Sequence, residues 1–207
     1  DPTGSNIGLY WAYEKALRQA ESAVDSTLGV TGAIYAIRRE LAAPIPDDTV
    51  LDDIEIPLGA FRKGHRVIFE PEAKAFDDPS AEISAEFKRK TRTLAGNYQL
   101  FARNGWLLIP WKNRIFLQAI SHKFFRLLVP WAMLAAFLSS SSLEGTAFAA
   151  IFWAQVVAYG LGIAAFRSAA LRGNRMVNLI SVFLTLNAAA VMGLYRYLTG
   201  TMDVRWK

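Results

Sequence analysis

A chain of 207 residues that is 53% hydrophobic and 20% charged, with a mean hydropathy of +0.19, is too apolar for an ordinary soluble domain, and its charges crowd into the first two thirds. The net charge of +5 does not point to nucleic acid, because the basic residues flank apolar runs, where anionic lipid headgroups would meet them. The absence of cysteine excludes disulfides and thiolate-bound metal, and two histidines as distant as His65 and His122 do not suggest a zinc site.

No signal peptide opens the chain, which starts at Asp1-Pro2-Thr3-Gly4-Ser5 in the manner of a loop inside a larger protein. Ser5 or Asn6 can cap a helix running through Val24, with Leu9, Tyr13, Leu17, Ala20 and Val24 on one face and Glu14 four residues before Arg18. GVTGAIYAI, Gly29 to Ile37, reads as a buried strand closed by Arg38-Arg39. Ile54, Leu58 and Phe61 trace a short helix ended by Gly64, with the acids Asp52 and Asp53 at its start. His65, Val67 and Phe69 then alternate with Arg66, Ile68 and Glu70 as a second strand before Pro71. A long helix beginning near Ser80 puts Ile83, Phe87, Leu94, Tyr98 and Phe101 on one side and Lys88, Arg89, Lys90 and Arg92 on the other.

Gly105 to Ser121 is a transitional stretch in which Trp106 and Trp111 stand beside Lys112 and Arg114, a composition suited to the headgroup zone. Three apolar runs follow, from about Phe124 to Leu143, Thr146 to Phe166 and Met176 to Leu198. Each nears the roughly 20 residues needed to cross a hydrocarbon core. The first link, SSSSLEG, has no Lys or Arg, whereas the second carries Arg167, Arg172 and Arg175, so the positive-inside rule puts the soluble part and the second link in the cytoplasm. Parity then sends the C-terminus outside, although Arg196, Arg205 and Lys207 would prefer the inner face. The mixed helices and strands of the first part suggest half of an α/β domain, with too few strands for a complete doubly wound sheet. His122 and Lys123 are read as marking the membrane boundary.

The segments YWAYEKALRQAES, TGAIYAIRREL, Asp52-Asp53 with IEIPLGAFRKGHRVIFEPEAKAF, EFKRKTRTLAGNYQ and ISHKFFRLLVPW together resemble membrane-bound family 2 glycosyltransferases of the cellulose synthase and poly-N-acetylglucosamine synthase branch. The resemblance implies an α/β fold, the acceptor half of a GT-A catalytic domain over residues 1–103, followed by an interfacial amphipathic segment at 104–123 and a helical membrane domain of about three helices at 124–207. It implies an inverting enzyme of the cytoplasmic face of the inner membrane. Its expected partners are a nucleotide-sugar donor, usually UDP-linked, a glycan or lipid acceptor, and membrane lipids, with no nucleic acid.

By the same resemblance, Asp53 is the catalytic base, with Asp52 its neighbour at the helix start. A positioned carboxylate is needed because a neutral alcohol is a poor nucleophile. Thr31 and Gly32 match the stretch lining the acceptor site. Arg89 and Arg92 fall where related polymerases carry Gln-x-x-Arg-Trp, and Arg92 matches the arginine facing the donor diphosphate, a role suited to bidentate phosphate contacts. Arg89 replaces the glutamine and Thr93 the tryptophan, which weakens any expectation of processive polymerisation. The family's Mg²⁺ or Mn²⁺ is expected in the full-length enzyme, but the Asp-x-Asp motif that would hold it is absent from this sequence, and Asp47-Asp48 and Asp77-Asp78 have the wrong spacing. The expectation is therefore a C-terminal portion of an enzyme, lacking the donor-binding half and inactive alone. The alternative is a non-catalytic membrane scaffold of an envelope polysaccharide system. A proton-coupled carrier is disfavoured, since the spans hold almost no ionisable residues, and Gln155 and Asn187 are polar but neutral.

Overall fold

The computed structural model describes residues 2–75 and 83–204. The expected helix start at Ser80, the pair Asp77-Asp78 and the tail cations Arg205 and Lys207 lie outside these residues. Eight α-helices are described: α1 (Pro2–Val24), α2 (Asp52–Arg62), α3 (Ile83–Arg103), α4 (Phe116–Ala119), α5 (Phe125–Ser142), α6 (Thr146–Ala165), α7 (Ala169–Gly173) and α8 (Arg175–Leu198). Short 3₁₀ turns stand at Arg39–Leu41 and Gly105–Leu108, and a π turn, Ile120–Phe124, joins α4 to α5. The chain divides into two compact units. One comprises Asp1–Ser80, Gln99–Phe124 and Asp203–Lys207; the other comprises Ala81–Tyr98 and Phe125–Met202.

The expectation of an α/β domain is overturned. Among the described residues 68% are helical and no strand occurs. Gly29 to Ile37 is instead an exposed, bent segment: Val30 N–H donates to the Asp53 carbonyl at 2.9 Å, and Ile34 N–H turns back to the Thr31 carbonyl at 3.2 Å. His65 to Glu70 is extended but forms no ladder. Thr27 N–H meets the Val67 carbonyl at 2.9 Å, while Val67 and Phe69 N–H go to the hydroxyls of Ser26 and Ser22 at 3.1 and 2.6 Å. Alternating side chains record an extended backbone, but a strand is defined by a paired neighbour, and these amides are satisfied by Ser22 in α1's last turn, by Ser26 just after it and by α2's first turn.

The first unit is built on α2 and the C-terminal turns of α3. Ile54, Leu58 and Phe61 are buried at the expected helical spacing, and Gly64, with φ +86°, follows the helix end. The loop before α2 is held by the Gln99 side chain, whose Oε1 accepts from Val50 N–H at 3.0 Å and whose Nε2 donates to the Asp48 carbonyl at 2.8 Å. Arg103 adds an ion pair to Asp48 at 2.6 Å and a hydrogen bond to Thr49 Oγ1 at 3.2 Å. Arg103 holds the exposed Asp48 carboxyl below its ordinary pKa. Asn104 Nδ2 spans both Glu55 carboxylate oxygens at 3.0 Å, fixing the first turns of α2.

The second unit contains most of the apolar helices. Three continuous helical stretches, Phe116–Ser142, Thr146–Ala165 and Arg175–Leu198, are long and apolar enough to cross a membrane. The first begins ahead of the expected Phe124 because α4 and the π turn run into α5. Phe137 packs on Phe152 at 5.0 Å, and Gln155 Nε2 donates to Ser140 Oγ at 3.1 Å, so the polar residue of α6 is satisfied by α5. α8 ends in a Schellman pattern: Thr201 N–H bonds to the Arg196 carbonyl at 3.0 Å and Gly200 takes φ +67°.

Small residues permit close helix contact in this unit. A Cβ on Gly193 of α8 would stand 2.8 Å from Ala95 N and 3.1 Å from the Leu94 carbonyl carbon, both backbone atoms of α3. Gly193→Ala should therefore lower the melting temperature of the detergent-solubilised protein, the cost being about 1–3 kcal/mol for an overpacked contact. Gly160→Ala, whose added carbon meets no described atom within 4 Å, should not.

Candidate active site

Asp53 lies in the first turn of α2 with Asp52 and Glu55. Acidic residues are favoured there by the unpaired amides and the helix dipole. Pro57 sits inside the same helix, four residues after Asp53. Having no N–H, it leaves the Asp53 carbonyl without its helical donor, and Val30 N–H supplies the replacement at 2.9 Å. This single bond brings Thr31 and Gly32 alongside Asp53. A Cβ on Gly32 would stand 3.8 Å from the Asp53 Cβ, so the two residues are neighbours at ordinary van der Waals distance. Gly29 is needed for the approach: a Cβ there would meet Ile54 Cγ1 at 2.8 Å and the Asp53 carbonyl oxygen at 3.1 Å.

Around the half-buried Asp53 carboxyl the charges are mixed. Burial pushes its pKa above the ordinary value of 3.8, and the neighbouring Asp52 pushes it further; Lys123 of the π turn and Arg18 of α1 pull it back, as does a backbone hydrogen bond. Arg18 is held by α1's own Glu14 at 3.8 Å and donates from Nη1 to Thr31 Oγ1 at 3.0 Å. Asp52 is exposed, and its Oδ1 accepts from the Asp53 backbone N–H at 3.1 Å, a contact that supports the helix start. The π turn that carries Lys123 is tied down on either side. His122 Nδ1 bonds to a Glu21 carboxylate oxygen, and Phe124 packs edge-on against Phe101 at 5.1 Å. π turns often mark functional positions because they rotate the following side chains off the regular helical register.

The structure therefore brings Asp53, Asp52, Thr31 and Gly32 together in the first unit. Arg89 and Arg92 belong to the second, on α3. Arg89 is exposed and paired with Glu86 one turn earlier, which also holds Lys90 at 3.4 Å. Arg92 is half-buried. Sequence reasoning missed Arg18 and Lys123 as neighbours of Asp53. Their only signal was basic character, which does not reveal proximity to a residue far away in the sequence. Among the described residues no three His, Asp or Glu side chains cluster as a metal site.

Residues 6–166 match the model of the family described as glycosyl transferase family group 2. The chain belongs to that family. The match spans both the Asp53 region and the first two apolar helices, and it singles out neither cellulose synthases nor poly-N-acetylglucosamine synthases. No curated protein and no solved structure matches the chain.

The raised pKa has a sign that can be checked. Between 3.8 and the higher folded value the unfolded chain ionises at Asp53 while the folded one does not, so stability falls as pH rises through that window and stays lower above it. Asp53→Asn removes the penalty. Its melting temperature relative to wild type should climb as the pH is raised from below 3.8 to neutrality, whereas a flat difference would mean that the carboxylate is not penalised by burial.

Proposed function

We propose that this chain carries the acceptor-side chemistry of a membrane-bound, inverting glycosyltransferase. In this reading a sugar moves from a nucleotide-activated donor, UDP-linked, to a hydroxyl of a glycan or lipid acceptor at the cytoplasmic face of the cell membrane. Family membership supports sugar transfer, and the three helices of spanning length support membrane association. The observation that carries the assignment of Asp53 is its setting: a half-buried carboxyl of raised pKa, flanked by Gly32 and faced by two cations.

In the proposed step the Asp53 carboxylate takes the acceptor hydroxyl proton as the oxygen attacks the anomeric carbon, and the bond from that carbon to the donor phosphate oxygen breaks. One displacement inverts the centre. Burial makes Asp53 a stronger base than a solvated aspartate, while Lys123 and Arg18 oppose that shift by favouring its ionised form, the form that accepts a proton. Thr31 and Gly32 border the acceptor, with Thr31 oriented by Arg18. Arg92, with Arg89 beside it on α3, is the proposed partner of the departing diphosphate, whose charge a planar guanidinium neutralises through paired hydrogen bonds. Asp52 acts through the helix start. Mg²⁺ or Mn²⁺ is expected with the full-length enzyme, and no step here is drawn through it.

The test is sugar transfer by the full-length protein in membranes, offered UDP-glucose and UDP-N-acetylglucosamine in parallel. Asp53→Asn should reduce turnover by about 10²–10⁴-fold, the range for losing a positioned base, with KM little changed. Asp52→Asn should cost only a few-fold. Full activity in the Asp53 variant would remove the assignment.

A further inference from the structure

At the other end of α2 the first unit has a concave feature. A cavity of about 390 Å³ is lined by Phe61, Arg62, Gly64, Trp106, Lys112 and Arg114. Its aromatic part is a stacked pair, Phe61 and Trp106, with ring centroids 6.1 Å apart and planes 17° from parallel. Each ring carries a guanidinium: Arg114 lies 4.4 Å from the Phe61 centroid and Arg62 lies 5.7 Å from that of Trp106. No acidic residue lines the cavity. Arg114 is already neutralised by Asp25 at 3.1 Å and also donates to the His65 carbonyl. Arg62 and Lys112 are exposed, and among the described residues neither side chain makes an ion pair or a hydrogen bond. Two uncompensated cations over an aromatic floor make a site for a compact anion.

The surroundings select the anion. Lys112 and Arg114 immediately precede the helical stretch Phe116–Ser142, which is long enough to cross a membrane. Trp111, in the same turn, is 84% exposed, as an indole is at the boundary between headgroups and acyl chains. Cations that precede a spanning helix in the chain are the ones that anionic headgroups meet, where phosphate is concentrated. We propose that this cavity binds the headgroup phosphate of an anionic phospholipid, with Arg62 and Lys112 as the charge-bearing contacts and Trp106 as the wall. Arg62 is the new element, because it comes from α2 and not from the segment that adjoins the membrane. The site is separate from Asp53 and independent of the sugar chemistry.

The experiment measures binding of phosphatidylglycerol and of phosphatidylcholine with the same acyl chains to the purified full-length protein in detergent, by native mass spectrometry. Phosphatidylglycerol should bind more tightly, and Arg62→Gln/Lys112→Gln should weaken it by roughly tenfold to thirtyfold, the loss expected for two surface cations, leaving phosphatidylcholine unchanged. Arg62→Lys, which keeps the charge, should retain most of the preference, and an unchanged melting temperature establishes that the double variant is folded. Equal phosphatidylglycerol binding by wild type and double variant would overturn the proposal. So would saturation by inorganic phosphate or UDP that depends on the same two residues while the lipid shows no preference, since the cavity would then serve a soluble anion. Sugar transfer is not the readout, so failure here leaves the assignment of Asp53 where it stands.

Discussion

The candidate active site depends on a hydrogen bond that a proline makes available. Pro57 cannot donate to the Asp53 carbonyl, so a helix that would otherwise close on itself keeps one acceptor open, and Val30 N–H fills it at 2.9 Å. An unfilled carbonyl at a partly buried helix start would cost on the order of 1–3 kcal/mol, so the pairing is both a repair and a constraint. It fixes the backbone of residues 30–32 against α2, and Gly29 makes the approach sterically feasible. Without it the segment after α1 would have no reason to border the Asp53 carboxylate.

The same economy of polar contacts holds α2 itself. Gln99, Arg103 and Asn104, at the end of α3, satisfy the backbone and side chains of residues 48–50 and of Glu55. None of these interactions is hydrophobic, yet together with the buried Ile54, Leu58 and Phe61 they set where the helix begins and which way its first turn faces. Asp53 is then left in a compromise. Burial and Asp52 favour its neutral form, while Lys123 and Arg18 favour the charged one. A group so balanced responds to its surroundings more than a solvated aspartate would.

What could be read from residues alone was local. The spacing of Ile54, Leu58 and Phe61 together with Gly64 specified α2, and the three long apolar runs specified helices of spanning length. The Asp53 and Gly32 neighbourhood was legible only through resemblance, since neither residue type at that spacing implies contact. The strands failed for a physical reason. Alternation in His65 to Glu70 and the β-branched content of Gly29 to Ile37 describe what an extended backbone tolerates, but pairing depends on which amides are free nearby, and here Ser22, Ser26 and the Asp53 carbonyl take them.

The sequence by itself determined the apolar helices, the acidic start of α2, the proline that opens it and the clustering of cations before the first span, because each rests on neighbours within a turn or two. Tertiary structure decided the rest: that Arg18 and Lys123, separated by most of the chain, act on one carboxyl, that Arg62 joins Lys112 in a single cavity, and that extended segments end in side-chain bonds. Such contacts depend on how packed helices position distant charges. No periodicity within a segment encodes that information, because the energy of a charge pair depends on distance and burial in the folded chain.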